Sequence, residues 1–247
     1  MGPGGPGMMG FGPTVTGAPY SGQEITEETQ TLANGNVITR KVTVNVFRDS
    51  SGRVRTERTM PAGRPGMGGR PGTAPATASA QTPRTVISIH DPVAGVASEL
   101  DATSKTAHQM TIPNRGGNGF GGGRGREANG QTASTDPNVV RETLPMQTIN
   151  GVQATGTRVT RTIPAGQIGN TQPIQVITET WHSPDLKVPV MTKRIDPVHG
   201  NVTTQLMNIT RSEPDPSLFQ VPSDYTVTRG RGARGVNGQN LPGAVKQ

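Results

Sequence analysis

The 247-residue chain has no cysteine. That excludes disulfides, thiolate metal sites and a cysteine nucleophile, and it leaves the redox compartment undecided. Aromatic residues make up 3% of the chain, and the hydrophobic fraction is 30%. Ordinary globular chains reach roughly 45–50% with glycine included, so only a modest core is expected here. Helical periodicity is nearly absent. No apolar run approaches the roughly 18 residues of a membrane span, so no integral span is expected. The opening stretch, "MGPGGPGMMGFGPTVTG", has neither the charged nor the apolar region of a secretory signal. The expectation is a cytoplasmic chain, or one whose precursor carries further residues upstream.

Acidic residues are outnumbered, and the net charge is +7. The location of that charge matters more than its size. Residues 24–60 carry six basic and five acidic groups, 84–112 two and three, and 131–228 seven and eight, which sums to −1. The excess sits in Gly/Pro-rich stretches, at Arg64, Arg70, Arg115, Arg124, Arg126, Arg229, Arg231, Arg234 and Lys246. The patterned part of the chain is therefore close to neutral, which argues against a nucleic-acid-binding domain. "GGNGFGGGRGRE" and "RGRGARG" resemble RGG segments that bind RNA through arginine charge and stacking. Their arginines are few, so flexible linker is the preferred reading.

What is present is a succession of short strand patterns. Val42, Val44 and Val46 alternate with polar neighbours, the period-2 signature of a half-buried strand. Asn34-Gly35 and Ser51-Gly52 are turn sequences that make 23–60 a three-stranded meander. Strand signals resume in "RTVISIH", "VASELD" and "KTAHQMTI", and again from residue 139 to "NVTTQLMNITR". "DPVAG" (91–95) and "DPVHG" (196–200) share one turn chemistry: Asp accepts a local bond, Pro pre-sets φ and Gly supplies the left-handed position. About ten to twelve strands are expected. The organisation expected is an unstructured Gly/Pro-rich segment at 1–20, one antiparallel β domain over 21–228 with low-complexity inserts at 61–83 and 113–138, and an Arg/Gly-rich tail at 229–247.

Pairing across Ser183–Leu186 with Trp181 near Val188 would put Ile177, Trp181, Val188 and Val190 on one face. Ile174, Val176, Met191 and Ile195 would occupy the other. With both faces partly apolar and no helix to cover either, a strongly curled sheet is favoured over a flat one. After the last strand, "SEPDPSLFQVPSDYTV" (212–227) places Phe219 and Tyr225 among prolines. Asp215 can cap a single helical turn begun by Pro216 and stopped before Pro222.

Nothing assembles a catalytic constellation. His90, His108, His182 and His199 lack partners at metal-ligating spacing. Glu24, Glu27 and Glu28 read as a solvated strand end, and no nucleophile motif occurs. No cofactor, metal or enzyme activity is expected.

Three segments taken in order, "TINGVQATGTR", "ETWHSPDLKVPV" and "DPSLFQVPSDYTV", resemble bacterial envelope proteins related to the LolA/LolB lipoprotein-carrier superfamily. The "RDSSGR" turn (48–53) also fits. The likeness covers about 23–60 and 84–228. It implies an all-β, strongly curved antiparallel half-barrel whose concave face, in the carriers, receives lipid chains. It also implies a periplasmic or secreted location, and a lipid, a lipid-modified protein or another envelope protein as partner. The carriers' plugging helices are not found in this sequence. On this resemblance Phe219, Pro222 and Tyr225 form a structural clasp over the sheet. Trp181 is either core or, with Met191 or Met207, a wall of the concavity. The alternatives are an interaction scaffold with no small ligand and nucleic-acid binding through the Arg-Gly segments.

Overall fold

A computed structural model describes residues 14–60, 83–112 and 136–230. The strands are β1 (Tyr20–Thr31), β2 (Val37–Arg48), β3 (Val54–Met60), β4 (Arg84–Asp91), β5 (Val96–Asp101), β6 (Thr106–Thr111), β7 (Val139–Ile149), β8 (Val152–Ile163), β9 (Ile174–Ser183), β10 (Val188–Ile195), β11 (Asn201–Thr210) and β12 (Thr226–Arg229). They form one open sheet in the order β12-β6-β5-β4-β3-β2-β1-β11-β10-β9-β8-β7. The fold is thus nearly all β, and among the described residues only a 3-10 turn at Pro216–Phe219 is helical. The junction of β1 with β11 unites two meanders, β1–β6 and β7–β11, whose other members pair with their sequence neighbours, and β12 adds to the outer edge of β6.

The turns follow from local chemistry. Asn150 and Gly151 both take positive φ, 49° and 82°, and close β7 onto β8 in two residues. At Asn34-Gly35 the expected two-residue turn is instead longer. Leu32 N–H bonds to the Asn36 carbonyl at 2.8 Å, leaving a three-residue loop with Gly35 at φ 80°. In the two DPxxG turns the Asp side chain accepts the next free amides: Asp91 from Val93 and Ala94, Asp196 from Val198 and His199.

The sheet is curled. Asn150 Nδ2, in the β7–β8 turn, donates a 2.9 Å hydrogen bond to the Leu206 carbonyl in β11. Three strand spacings separate β8 from β11, about 14 Å in a flat sheet, so this end of the sheet bends over its own face. The core enclosed there includes Tyr20, Val46, Val152, Trp181, Val190 and Leu206. Arg48 closes the neighbouring corner. It is 3% exposed, stacks on the Tyr20 ring, and donates to the carbonyls of Ala18 and Leu186.

A second core lies on the opposite face. Val46 points into the first core, while Phe47, next along β2, packs against Ile87, Ile89, Leu100, Ala107 and Phe219. Successive strand residues point to opposite faces, so β2 is where the buried side of the sheet changes. This second face is covered by the chain after β11.

Three expectations are corrected. The pairing of β9 with β10 aligns Val188 with Ser183 and Met191 with Trp181, with a register shift between Pro189 and Met191. The extra residue, Val190, moves Met191 from the face opposite Trp181 to a position directly across from it. The all-antiparallel pattern fails at one strand: β12 runs parallel to β6, because the 211–225 crossover returns the chain to the far edge in the same direction. The stretches expected to be unstructured fall largely outside the described residues. Where 1–20 overlaps them, however, Ala18 and Tyr20 are buried and Tyr20 opens β1. Arg48 holds that segment by the Ala18 carbonyl, an anchor far away in sequence.

Candidate binding face

The inner face of the curl has a filled half and an open half. In the filled half, Trp181 is 6% exposed and its ring lies against Gly156, which leaves no room for a side chain there. Met191, paired with Trp181, packs on the same cluster. The Trp181 Nε1 is buried without a hydrogen-bond partner. Met207 does not join them. It pairs with Gln23, which pairs with Asn45, so it faces away from Leu206 and Val44. The structure therefore brings Trp181 and Met191 together in a packed interior and leaves Met207 outside it.

The open half lies over β2 to β5 on the same face as Val44. Cross-strand pairs put Val44, Arg58 and Val86 in one row and Thr56, Ser88 and Glu99 in the next. With Met60 and Arg84 these rows line a groove of about 260 Å³. Its chemistry is mixed: three apolar side chains, two arginines, one carboxylate and two hydroxyls. Arg84 also meets Asp101 at 3.7 Å, an exposed pair that contributes little by itself. Sequence reading missed this groove. The Val42–Val46 alternation signals the face, but β4 is separated from β3 by a long insert, and nothing local shows that Arg58, Val86 and Glu99 become neighbours.

Glu24 is the chemically unusual member of the inner face. It sits across from Val44 and Leu206 and is 8% exposed. Burial pushes its carboxyl above the ordinary glutamate range. The solvated strand end expected at Glu24, Glu27 and Glu28 applies to Glu27, which is exposed, and not to Glu24.

On the opposite face, Phe219 is 4% exposed and its ring lies under the Arg53 guanidinium at 5.0 Å. Arg53 is itself held by Asp49 at 2.5 Å. Arg55 donates to the Leu218 carbonyl at 2.8 Å, and Asp215 caps the turn through the Ser217 amide. Tyr225 is half-buried beneath Lys105, whose ammonium lies 4.9 Å from the ring centre. Pro222 is exposed, and its carbonyl accepts from the Tyr225 amide at 3.1 Å.

Among the described residues no group of three metal-binding side chains occurs, and no helix is long and apolar enough to cross a membrane. The Arg-Gly segments read as RNA-binding candidates lie almost wholly outside the described residues.

No protein-family model matches the chain, and no curated protein matches it. Solved structures do. A conserved protein from Thermus thermophilus is similar over 86% of this chain and 91% of that one, at 9% identity and TM-score 0.42. MucB, in the Pseudomonas aeruginosa MucA/MucB complex, is similar over 85% of this chain at 12% identity and TM-score 0.40, and the chain spans 58% of MucB's length. A LolA superfamily protein from Nitrosomonas europaea is similar over 82% and 90% of the two chains, at 8% identity and TM-score 0.31. At these identities and scores the likeness is one of sheet architecture alone.

Proposed function

We propose that this chain is a non-enzymatic binding protein of the cell envelope, or secreted, that holds a polypeptide partner against the open half of its inner face. The motif resemblance at 148–158, 179–190 and 215–227 supports the location. The observation that supports a polypeptide over a lipid is the division of the inner face. The apolar half, where an acyl chain would be accommodated, is occupied by Trp181, Val190 and Leu206 themselves. The space that remains alternates arginine, carboxylate and hydroxyl with Val44, Met60 and Val86. Mixed walls of this kind match a peptide's alternation of side chains and backbone polar groups, whereas a lipid chain in contact with them would leave polar groups unpaired.

The test places a photo-crosslinking residue at Ser88, exposed in the groove, in the full-length chain expressed in its own host. A crosslink to a discrete protein, lost when Arg84 is changed to Glu, is the expected result. Native mass spectrometry of the same purified chain should show no stoichiometric lipid. A lipid that co-purifies one to one and is released on denaturation overturns the proposal.

A further inference from the structure

Three acids are buried among the described residues: Glu24, Asp49 and Asp196. Two are paired, Asp49 with Arg53 at 2.5 Å and Asp196 with Arg194 at 2.7 Å. Glu24 differs. It is 8% exposed, yet its carboxyl has no hydrogen bond and no ion pair among the described residues. A buried carboxyl without a partner is costly, and such groups call for an explanation.

Its position relates it to the groove. Leu206, Glu24, Val44, Arg58 and Val86 are successive cross-strand partners on β11, β1, β2, β3 and β4, so their side chains share one face. The last three line the groove. Glu24 therefore lies one strand beyond the Val44 wall, about 5 Å away. Val44 and Leu206, both buried and apolar, stand on either side of it. The next residue of β1 on this face, Thr26, is 9% exposed, and its Oγ1 lies 3.0 Å from that of Thr204. That contact uses one hydroxyl proton and one lone pair, so both oxygens keep lone pairs that can accept.

We infer that Glu24 is the seat for a lysine side chain of the polypeptide partner, whose alkyl stem crosses Val44 from the groove and whose ammonium meets the carboxylate and the Thr26–Thr204 pair. This rests on the polypeptide-binding reading above and names a residue type that the partner carries. A lysine stem covers apolar surface, and its head is a compact charge with three donors. Those donors match one carboxylate and two hydroxyl acceptors. The broader, planar guanidinium of arginine needs a wider opening than a carboxyl at this exposure presents.

The test uses the full-length chain and labelled seven-residue peptides alternating valine with threonine, with lysine, norleucine, arginine or glutamate at the centre. Fluorescence polarisation should show the lysine peptide binding at least tenfold more tightly than the other three. Glu24→Gln, which keeps the size of the side chain and removes its charge, should abolish that preference. Glu27→Gln, at an exposed residue on the other face of β1, should preserve it. The peptide comparison on the parent chain stands whether or not Glu24→Gln folds. Norleucine or arginine peptides that bind as tightly as the lysine peptide overturn the inference. So does a lysine preference that survives in Glu24→Gln, or failure of every peptide to bind. The Ser88 crosslink in the host separates this inference from the reading beneath it. A crosslink formed equally by the parent and Glu24→Gln chains overturns the lysine seat and leaves the groove-binding function standing, whereas no crosslink to a discrete protein in either chain overturns both.

Discussion

The ring of Trp181 occupies the place where a side chain at Gly156 would begin: a Cβ there would lie 2.7 Å from two of its carbons. The two residues are cross-strand partners, and a glycine at this position lets the indole lie flat on β8. Alanine at 156 should therefore destabilise the fold even though it favours a strand intrinsically. Overpacking a core at this distance costs about 1–3 kcal/mol. Trp181 is the sole tryptophan, so its emission reports the site alone. Gly156→Ala should shift that emission to longer wavelength and lower the denaturation midpoint. An unchanged spectrum and midpoint would show that the indole is free to move, and that the interior is looser than its packing implies.

The clasp after β11 should be strongly unequal in its parts. Phe219 fills the second core and lies under Arg53, so Phe219→Ala should cost about 3–5 kcal/mol, in the range of large aromatic deletions. Tyr225, half-buried, should cost less. Pro222→Ala, at an exposed turn position, should stay within about 1 kcal/mol. Urea titration of the three variants orders them, and equal losses at Phe219 and Pro222 would contradict an anchoring role for the ring.

These two sites show what could be read in the sequence. The clasp is written locally: Asp215 as cap, Pro216 at the first helical position and Phe219 at the end of a single turn are all fixed within a few residues, and the structure follows them. The alternation of Val42, Val44 and Val46 marks strand β2 equally well. What failed was long-range. Val190 inserts into β10, and the insertion alone decides that Met191 faces Trp181. The change of buried side at β2 depends on the clasp covering one face while the β7–β8 turn folds over the other, through a bond between Asn150 and Leu206 that spans three strand spacings. Neither has a local signature. Glu24 was misjudged for the same reason, since its burial comes from β2 and β11 together.

Glu24 should be a destabilising residue at neutral pH. Burial raises its folded pKa above the unfolded value, so the folded chain disfavours the ionised form. The penalty is absent below the unfolded pKa, where the group is neutral in both states. It grows as pH rises to the folded value and is constant above it. Glu24→Gln should therefore raise the melting temperature at pH 7 and leave it little changed at pH 3.5. A melting temperature that falls at pH 7 would reveal that the carboxylate serves the inner face as a charge.

Asp196 should show the opposite dependence. Burial alone would raise this carboxyl, which is 2% exposed, but Arg194, the amides of Val198 and His199, and the His199 ring hold it down to about 2. The Arg194 bond is 2.7 Å and the His199 ring contact 3.2 Å. Because the folded pKa lies below the unfolded value of 3.8, the stabilisation is complete above the unfolded value and is lost as pH falls toward the folded one. It amounts to about 2 kcal/mol by linkage. Asp196→Asn keeps an acceptor for the two amides but loses the charge that Arg194 meets. It should cost about 2 kcal/mol at pH 7, with the gap to the parent chain closing as both are titrated from pH 4 to pH 2. Since the β10–β11 turn leads directly into β11, the strand that pairs with β1, the same variant should also speed hydrogen exchange across Val202–Gln205, where β11 pairs with both neighbours. Exchange that stays slow there while stability falls would place the loss in the turn alone and show that the β1–β11 junction holds without it.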